Sequence, residues 1–167
     1  MDKTIVEKAA RINLIITDVD GVLTDGRIVL GNNGEEFKFF HVQDGQGIKR
    51  AQKAGLKVAI ITGRISKAVD RRAKELNIGE VYQGVNDKLI IYKKLCNKYN
   101  LKNEEVAYIG DDIADLDVLK EVGFACSVKN GVSAVKEMVD YVTDREGGRG
   151  AVREVIDLIL EARSNPV

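Results

Sequence analysis

Asp18 and Asp20 are the residues of this chain best placed to do chemistry. They stand one residue apart, after the apolar run Leu14-Ile15-Ile16 and before Gly21. An apolar run closed by polar residues and glycine reads as a buried strand entering a loop. Open α/β sheets deliver chemistry at the carboxyl ends of their strands. Two acids at such an end can share a metal ion, or divide the work of nucleophile and proton carrier. Two later runs end in the same way: Val58-Ala59-Ile60-Ile61 leads to Thr62-Gly63-Arg64, and Val106-Ala107-Tyr108-Ile109 leads to Gly110-Asp111-Asp112. In a parallel sheet all three endings project from one edge, so Asp18, Asp20 and Asp111 converge beside Thr62. Crowded carboxylates raise one another's pKa unless something compensates them. A hard divalent cation does so, and Mg²⁺, which takes oxygen ligands and commonly shares its site with phosphate, points to phosphoryl transfer.

Taken singly, each piece has a plainer reading. Asp-x-Asp is usually a turn or a helix cap. A calcium loop fails because Val22 and Leu23 occupy positions where that loop needs a ligand and a glycine. Thr62-Gly63-Arg64 alone reads as a strand end with a cap, Lys88 as a solvated helix lysine, Gly110-Asp111-Asp112 as a turn, and His41 as a structural histidine. Acids and a hydroxyl at successive strand ends, followed by Lys88, are hard to explain as independent caps.

The elements that must position these residues alternate. Strands are expected at Leu14–Thr17, Lys57–Thr62, Val81–Gln83, Val106–Ile109, Phe124–Ser127 and Tyr141–Thr143. Helices are expected at Gln46–Ala54, Lys67–Leu76, Lys88–Tyr99, Ala114–Glu121, Val132–Met138 and about Ala151–Arg163. The last carries Val152, Val155, Ile156 and Ile159 on one face. This order predicts an α/β fold with a parallel sheet. One segment breaks it. Arg27–Leu30 and Glu35–Val42 read as a hairpin around Gly31-Asn32-Asn33-Gly34, an insertion at about residues 25–43 that overhangs the acids. Its apolar residues Ile28, Leu30, Phe37, Phe39 and Phe40 are too many for a free hairpin and suggest burial against a second subunit. Arg145 to Gly150, rich in glycine, reads as the most mobile internal stretch.

The 167 residues favour one domain, spanning 1–167. Lys plus Arg and Asp plus Glu are 26 each, and the balance argues against nucleic acid as a partner. Aromatic residues make up 5%, with no Trp, leaving few platforms for stacking bases. No apolar stretch reaches membrane-spanning length and the N-terminus has no signal core, so the expected compartment is the cytoplasm. Cys96 and Cys126 read as buried, reduced thiols.

Together these motifs resemble those of the haloacid dehalogenase superfamily. Asp18-Val-Asp20-Gly21-Val22-Leu23-Thr24 is similar to its first motif, Thr62 to its second, Lys88 to its third, and Gly110-Asp111-Asp112 with Asp115 to its fourth. Within it the chain resembles the 3-deoxy-D-manno-octulosonate 8-phosphate (KDO 8-phosphate) phosphatases, from about Arg11 to Leu160. That likeness rests on Thr24-Asp25-Gly26, Phe40-His41-Val42-Gln43-Asp44-Gly45, Thr62-Gly63-Arg64 and Gly147-Gly148-Arg149-Gly150-Ala151-Val152-Arg153-Glu154.

The resemblance implies a three-layer Rossmann-like fold without a cap domain. It implies Mg²⁺-dependent hydrolysis of a sugar-acid phosphate through an aspartyl-phosphate, in lipopolysaccharide synthesis. Asp18 would be nucleophile and metal ligand. Asp20 would be the general acid/base, touching substrate and lending its backbone carbonyl to the metal. Asp111 would be the third ligand, supported by Asp112 and Asp115. Thr62 and Lys88 would hold the phosphoryl group, with Gly63 beside them. His41, Val42, Gln43, Asp44, Gly45, Arg64 and Arg72 would contact the sugar acid, whose carboxylate suits arginine. A homotetramer with packed hairpins is implied, and whether the short C-terminal tail reaches a neighbouring active site stays open. A related nonulosonate 9-phosphate, a non-catalytic oligomerisation module like that fused to CMP-sialic acid synthetases, and the choice among Mg²⁺, Mn²⁺ and Co²⁺ stay open.

Overall fold

The computed structural model describes residues 2–164. The question of the tail beyond Ser164 lies outside them. Six strands form one sheet: β1 (Leu14–Thr17), β4 (Lys57–Ile61), β5 (Glu80–Tyr82), β6 (Val106–Gly110), β7 (Phe124–Ser127) and β8 (Tyr141–Val142), in the order β5-β4-β1-β6-β7-β8. All five ladders are parallel. β1 lies at the centre, and every residue of β1, β6 and β7 is buried.

Alternate strand residues feed two cores because successive side chains point to opposite faces. Leu14, Ile16, Ala59, Ile61 and Tyr108 pack with Tyr92 and Leu95 of α4 (Lys88–Tyr99) and Val118 of α5 (Leu116–Leu119). Ile15, Val58, Ile60, Ala107 and Ile109 pack with Ile48 of α2 (Val42–Lys53), Val69 of α3 (Lys67–Glu75), and Val155 and Ile159 of α7 (Ala151–Ser164). Each such aliphatic side chain stabilises by roughly 1.5–3 kcal/mol over leaving it exposed. The result is the expected three-layer α/β architecture. Among the described residues no cap domain interrupts it, and no helix is long and apolar enough to cross a membrane. Cys96 and Cys126 are buried and unbonded, as expected.

The sequence reading needs four corrections. First, α1 (Lys3–Ala10) was not anticipated; Asp2 caps it by accepting from the Thr4 backbone N–H at 2.9 Å, and Ile5, Val6 and Ala9 lay it on the core. Its mixed charge hid that short apolar face. Second, the hairpin strands are only β2 (Val29–Leu30) and β3 (Glu36–Phe37). The run to Val42 does not stay extended: Val42 opens α2, four residues earlier than expected. β-propensity gives way there to tertiary contact, because Asp44 in the first turn accepts from the Arg153 backbone N–H of α7 at 2.8 Å. Third, the helices expected at Ala114–Glu121 and Val132–Met138 shorten to α5, preceded by the 3₁₀ turn Ile113–Asp115, and α6 (Ser133–Lys136).

The fourth concerns Arg145 to Gly150, which is a packed strap rather than a free loop. The Gly147 backbone N–H donates to Asn130 at 2.8 Å, and that of Gly148 to the Val22 carbonyl at 2.9 Å. A Cβ on Gly147 would lie 1.6 Å from the Gly21 carbonyl oxygen. Glycine serves here for close approach, not for freedom.

Candidate active site

The parallel register sets the acids. β1 pairs Thr17 with Ile60 of β4 and with Ile109 of β6. Asp18 therefore leaves the sheet level with the ends of both neighbours, and its backbone N–H donates to the Ile109 carbonyl at 3.0 Å. Thr62 follows β4 and is buried; Asp111 follows β6.

Lys88 opens α4 and reaches this edge. Its Nζ lies 2.9 Å from Asp18 Oδ2 and 2.6 Å from Asp115 Oδ1, with only 5% of the side chain exposed. Asp115 is fully used. Its Oδ1 also accepts from the Tyr108 hydroxyl at 2.6 Å, and its Oδ2 accepts from the backbone N–H groups of Asp111 and Asp112 at 3.0 and 3.2 Å. Asp115 thus holds both Lys88 and the loop that carries Asp111.

Lys88 compensates only part of the local negative charge. Burial, with Asp18 and Asp115 nearby, pushes the Asp111 carboxyl up to about 7. Burial likewise raises Asp18 to about 6, although Lys88 opposes it. Burial alone would lower Lys88; its two acidic neighbours reverse that and hold it charged. Oxygens of Asp18, Asp111 and Asp115 lie within 4.8 Å of one another. Asp111 Oδ1 is buried without a hydrogen-bond partner. Gly21, at φ +92°, leaves the space that Asp111 fills: a Cβ there would lie 2.1 Å from its Oδ2. An all-oxygen set with an orphaned buried oxygen fits a hard divalent cation. Since Asp115 is occupied by its four donors, the oxygens free for such an ion belong to Asp18 and Asp111.

Asp20 faces elsewhere. Its carboxylate pairs with Lys38 and lies 3.8 Å from Arg64, which itself donates to Glu36 at 2.8 Å. Lys38 and Glu36, both on the hairpin, were not singled out from the sequence. The alternation in Glu36-Phe37-Lys38-Phe39 was the available signal, since it puts the two charges on one face.

The expected sugar-acid residues divide into two groups. Phe40, His41, Asp44, Gly45 and Arg72 line one crevice between α2 and α3, whereas Arg64 stands with Asp20 under the hairpin. The Arg72 guanidinium lies 5.9 Å from the Phe40 ring centre, and Gly45 leaves it room, because a Cβ would come within 2.3 Å of it. His41 Nδ1 and Asp44 Oδ2 are buried and unpartnered. Burial raises Asp44. Gln43 accepts from Arg145 at 2.7 Å, Val42 is 74% exposed, and Gly63 stands in the turn after Thr62.

A profile of haloacid dehalogenase-like hydrolases matches residues 73–156. Over 95% of this chain and 85% of the relative, the sequence is 48% identical to 3-deoxy-D-manno-octulosonate 8-phosphate phosphatase KdsC of Escherichia coli K12. The chain belongs to the haloacid dehalogenase-like hydrolases. Solved members of the family share its architecture. A 3-deoxy-D-manno-octulosonate 8-phosphate phosphatase of Moraxella catarrhalis, in complex with magnesium, phosphate and KDO, superposes with TM-score 0.96. It is 47% identical over 99% of this chain and 95% of that one. The cobalt-bound phosphatase of Haemophilus influenzae gives TM-score 0.91 at 41% identity, over 94% and 92% of the two chains.

Proposed function

We propose that this hydrolase is a Mg²⁺-dependent phosphatase that converts KDO 8-phosphate to KDO and inorganic phosphate in lipopolysaccharide synthesis. The observation that carries the reading is its likeness, at 47% identity over nearly its whole length, to the Moraxella catarrhalis phosphatase crystallised with magnesium, phosphate and KDO. The local geometry supports it: a buried carboxylate at a strand end, a buried lysine beside it, and an orphaned acid opposite.

In this reading an Asp18 carboxylate oxygen bonds to phosphorus as the bond from phosphorus to the sugar oxygen breaks. Asp20 gives the departing oxygen its proton. Asp20 then takes a proton from water as that water attacks the aspartyl-phosphate, releasing phosphate and restoring Asp18. Lys88 and the Thr62 hydroxyl hold the phosphoryl oxygens. Asp18, Asp111 and the backbone carbonyl of Asp20 would hold Mg²⁺, which supplies charge neutralisation for the phosphoryl group. Arg64, Arg72 and the turn from His41 to Gly45 receive the sugar acid.

The chain works as one domain, in the cytoplasm, and assembles as a homotetramer through its hairpins. Support for the assembly comes from the hairpin's outer face, where Ile28, Leu30, Phe37 and Phe39 are each more than half exposed. The deciding test is kcat/KM for phosphate release from KDO 8-phosphate against a nonulosonate 9-phosphate, with and without Mg²⁺. A clear preference for the first in Mg²⁺ is expected; preference for the second, or no release from either, rejects the assignment.

A further inference from the structure

We propose that Lys38 is a positioning residue that aims the Asp20 carboxyl at the leaving oxygen, from a hairpin outside the catalytic core. The proposal rests on the phosphatase reading above.

Lysine is almost never fully buried unless paired. The Lys38 side chain is 2% exposed, against 45% for Arg64. Two acids flank it: Asp20, in direct contact, and Glu36 at 3.7 Å. Among the described residues, the side chains paired with Asp20 are Lys38 and Arg64, and Arg64 is 3.8 Å away and chiefly engaged by Glu36 at 2.8 Å. The close partner of Asp20 is therefore Lys38.

Alternation past β3 turns Phe37 and Phe39 outward, where they are 54% and 58% exposed, and turns Glu36 and Lys38 toward the acid loop. Glu36 ties the two cations together, so Asp20 sits at one corner of a closed ring of two acids and two bases. A buried ion pair is weak evidence for stability, because desolvation offsets much of the attraction. A carboxyl that must transfer a proton to one atom gains more from being aimed. Asp18 is aimed by the core, through Lys88 and the Val19 backbone N–H at 2.7 Å. Asp20 is aimed by the hairpin.

Leaving groups separate this role from a structural one. A sugar alkoxide needs a proton as it leaves; p-nitrophenolate and acetate do not. Lys38→Met is expected to lower the single-turnover rate of phosphoryl transfer from the sugar-acid phosphate to Asp18 about tenfold or more. For p-nitrophenyl phosphate and acetyl phosphate the same transfer rate should change by no more than a few-fold, with little change in any KM, because a positioned acid contributes roughly 10²–10⁴-fold only where the leaving group needs a proton; hydrolysis of the aspartyl-phosphate, which uses Asp20 as base, should slow alike for all three. Glu36→Gln should give the same pattern more weakly, and Lys38→Arg should recover part of the loss. An equal loss in the transfer rate on all three esters, or a change confined to KM, overturns the proposal. Asp18→Asn, assayed alongside, separates the two claims: continued phosphate release from every ester would overturn the phosphatase reading itself.

Discussion

The two acids of Asp18-Val-Asp20 are anchored to two very different regions. Asp18 belongs to the strand-end cluster, built on fully buried strands and held by Lys88, while Asp115 behind it satisfies four donors. Asp20 belongs to the hairpin cluster, where strands of two residues each present Lys38 and Glu36 below and exposed phenylalanines above. The first region is braced by close packing and by Asp115, whose oxygens are all engaged, with Asp111 Oδ1 left unpaired. The second has almost no core of its own, so its order depends on the ion ring and on whatever covers its outer face. In the proposed mechanism the nucleophile and the lysine that holds phosphate belong to the first region, and the proton carrier belongs to the second.

The contrast breaks most directly at Asp18. Asp18→Asn should lower phosphate release roughly ten-thousand-fold or more while leaving circular dichroism and Tm nearly intact, since it removes one negative charge from a cluster whose acids outnumber Lys88, and Asp115 still pairs that lysine. Asp115→Asn attacks the same region from behind. Removing one charge from a buried network costs about 3–5 kcal/mol, so chemical denaturation should register a loss of that size together with weaker Mg²⁺ binding. Gly147→Ala tests whether the strap belongs to the braced region. Its Cβ would strike the Gly21 carbonyl, and a loss of about 1–3 kcal/mol with a lower kcat is expected; unchanged stability would return the strap to a free loop.

Magnesium and pH sharpen the picture further. Burial raises Asp18 to about 6 and Asp111 to about 7, above their ordinary 3.8. Their contribution to stability is therefore fully present below pH 3.8 and lost as pH rises through 6 to 7. A cation bound to the ionised pair restores it. Thermal melts should show a larger Mg²⁺-induced rise in Tm at about pH 8 than at about pH 5.5; equal shifts would contradict the assignment. The smallest effect on chemistry is expected from Phe37→Ser with Phe39→Ser. Light scattering should show a smaller assembly, while turnover of acetyl phosphate changes by no more than a few-fold.

The strand-end region was legible in the sequence and the hairpin largely was not. β1 and β7 matched their expected bounds because strands buried on both faces leave continuous apolar runs. Asp18, Asp111 and Thr62 followed once the sheet was taken as parallel, whereas Lys88, which reads alone as a solvated helix lysine, was singled out by the family resemblance. The hairpin's alternation showed that Lys38 and Glu36 share a face, but not that this face meets Asp20, because alternation carries no information about what lies opposite. The strap misled for a related reason: glycines that permit close packing look, in composition, like glycines that permit motion. The early start of α2 depended on Asp44 reaching α7, a contact 109 residues away in sequence.

The central claim is that Asp18 attacks and Asp20 moves protons. Intact-protein mass spectrometry after brief exposure of Asp18→Asn and Asp20→Asn to acetyl phosphate and Mg²⁺ tests it most directly. Transfer from this ester needs no proton, whereas hydrolysis of the aspartyl-phosphate needs the base. Asp20→Asn should therefore accumulate one phosphoryl group, mapped to the peptide carrying Asp18, and Asp18→Asn should stay unlabelled. A labelled Asp18→Asn, or an Asp20→Asn that turns over freely without label, would contradict the account.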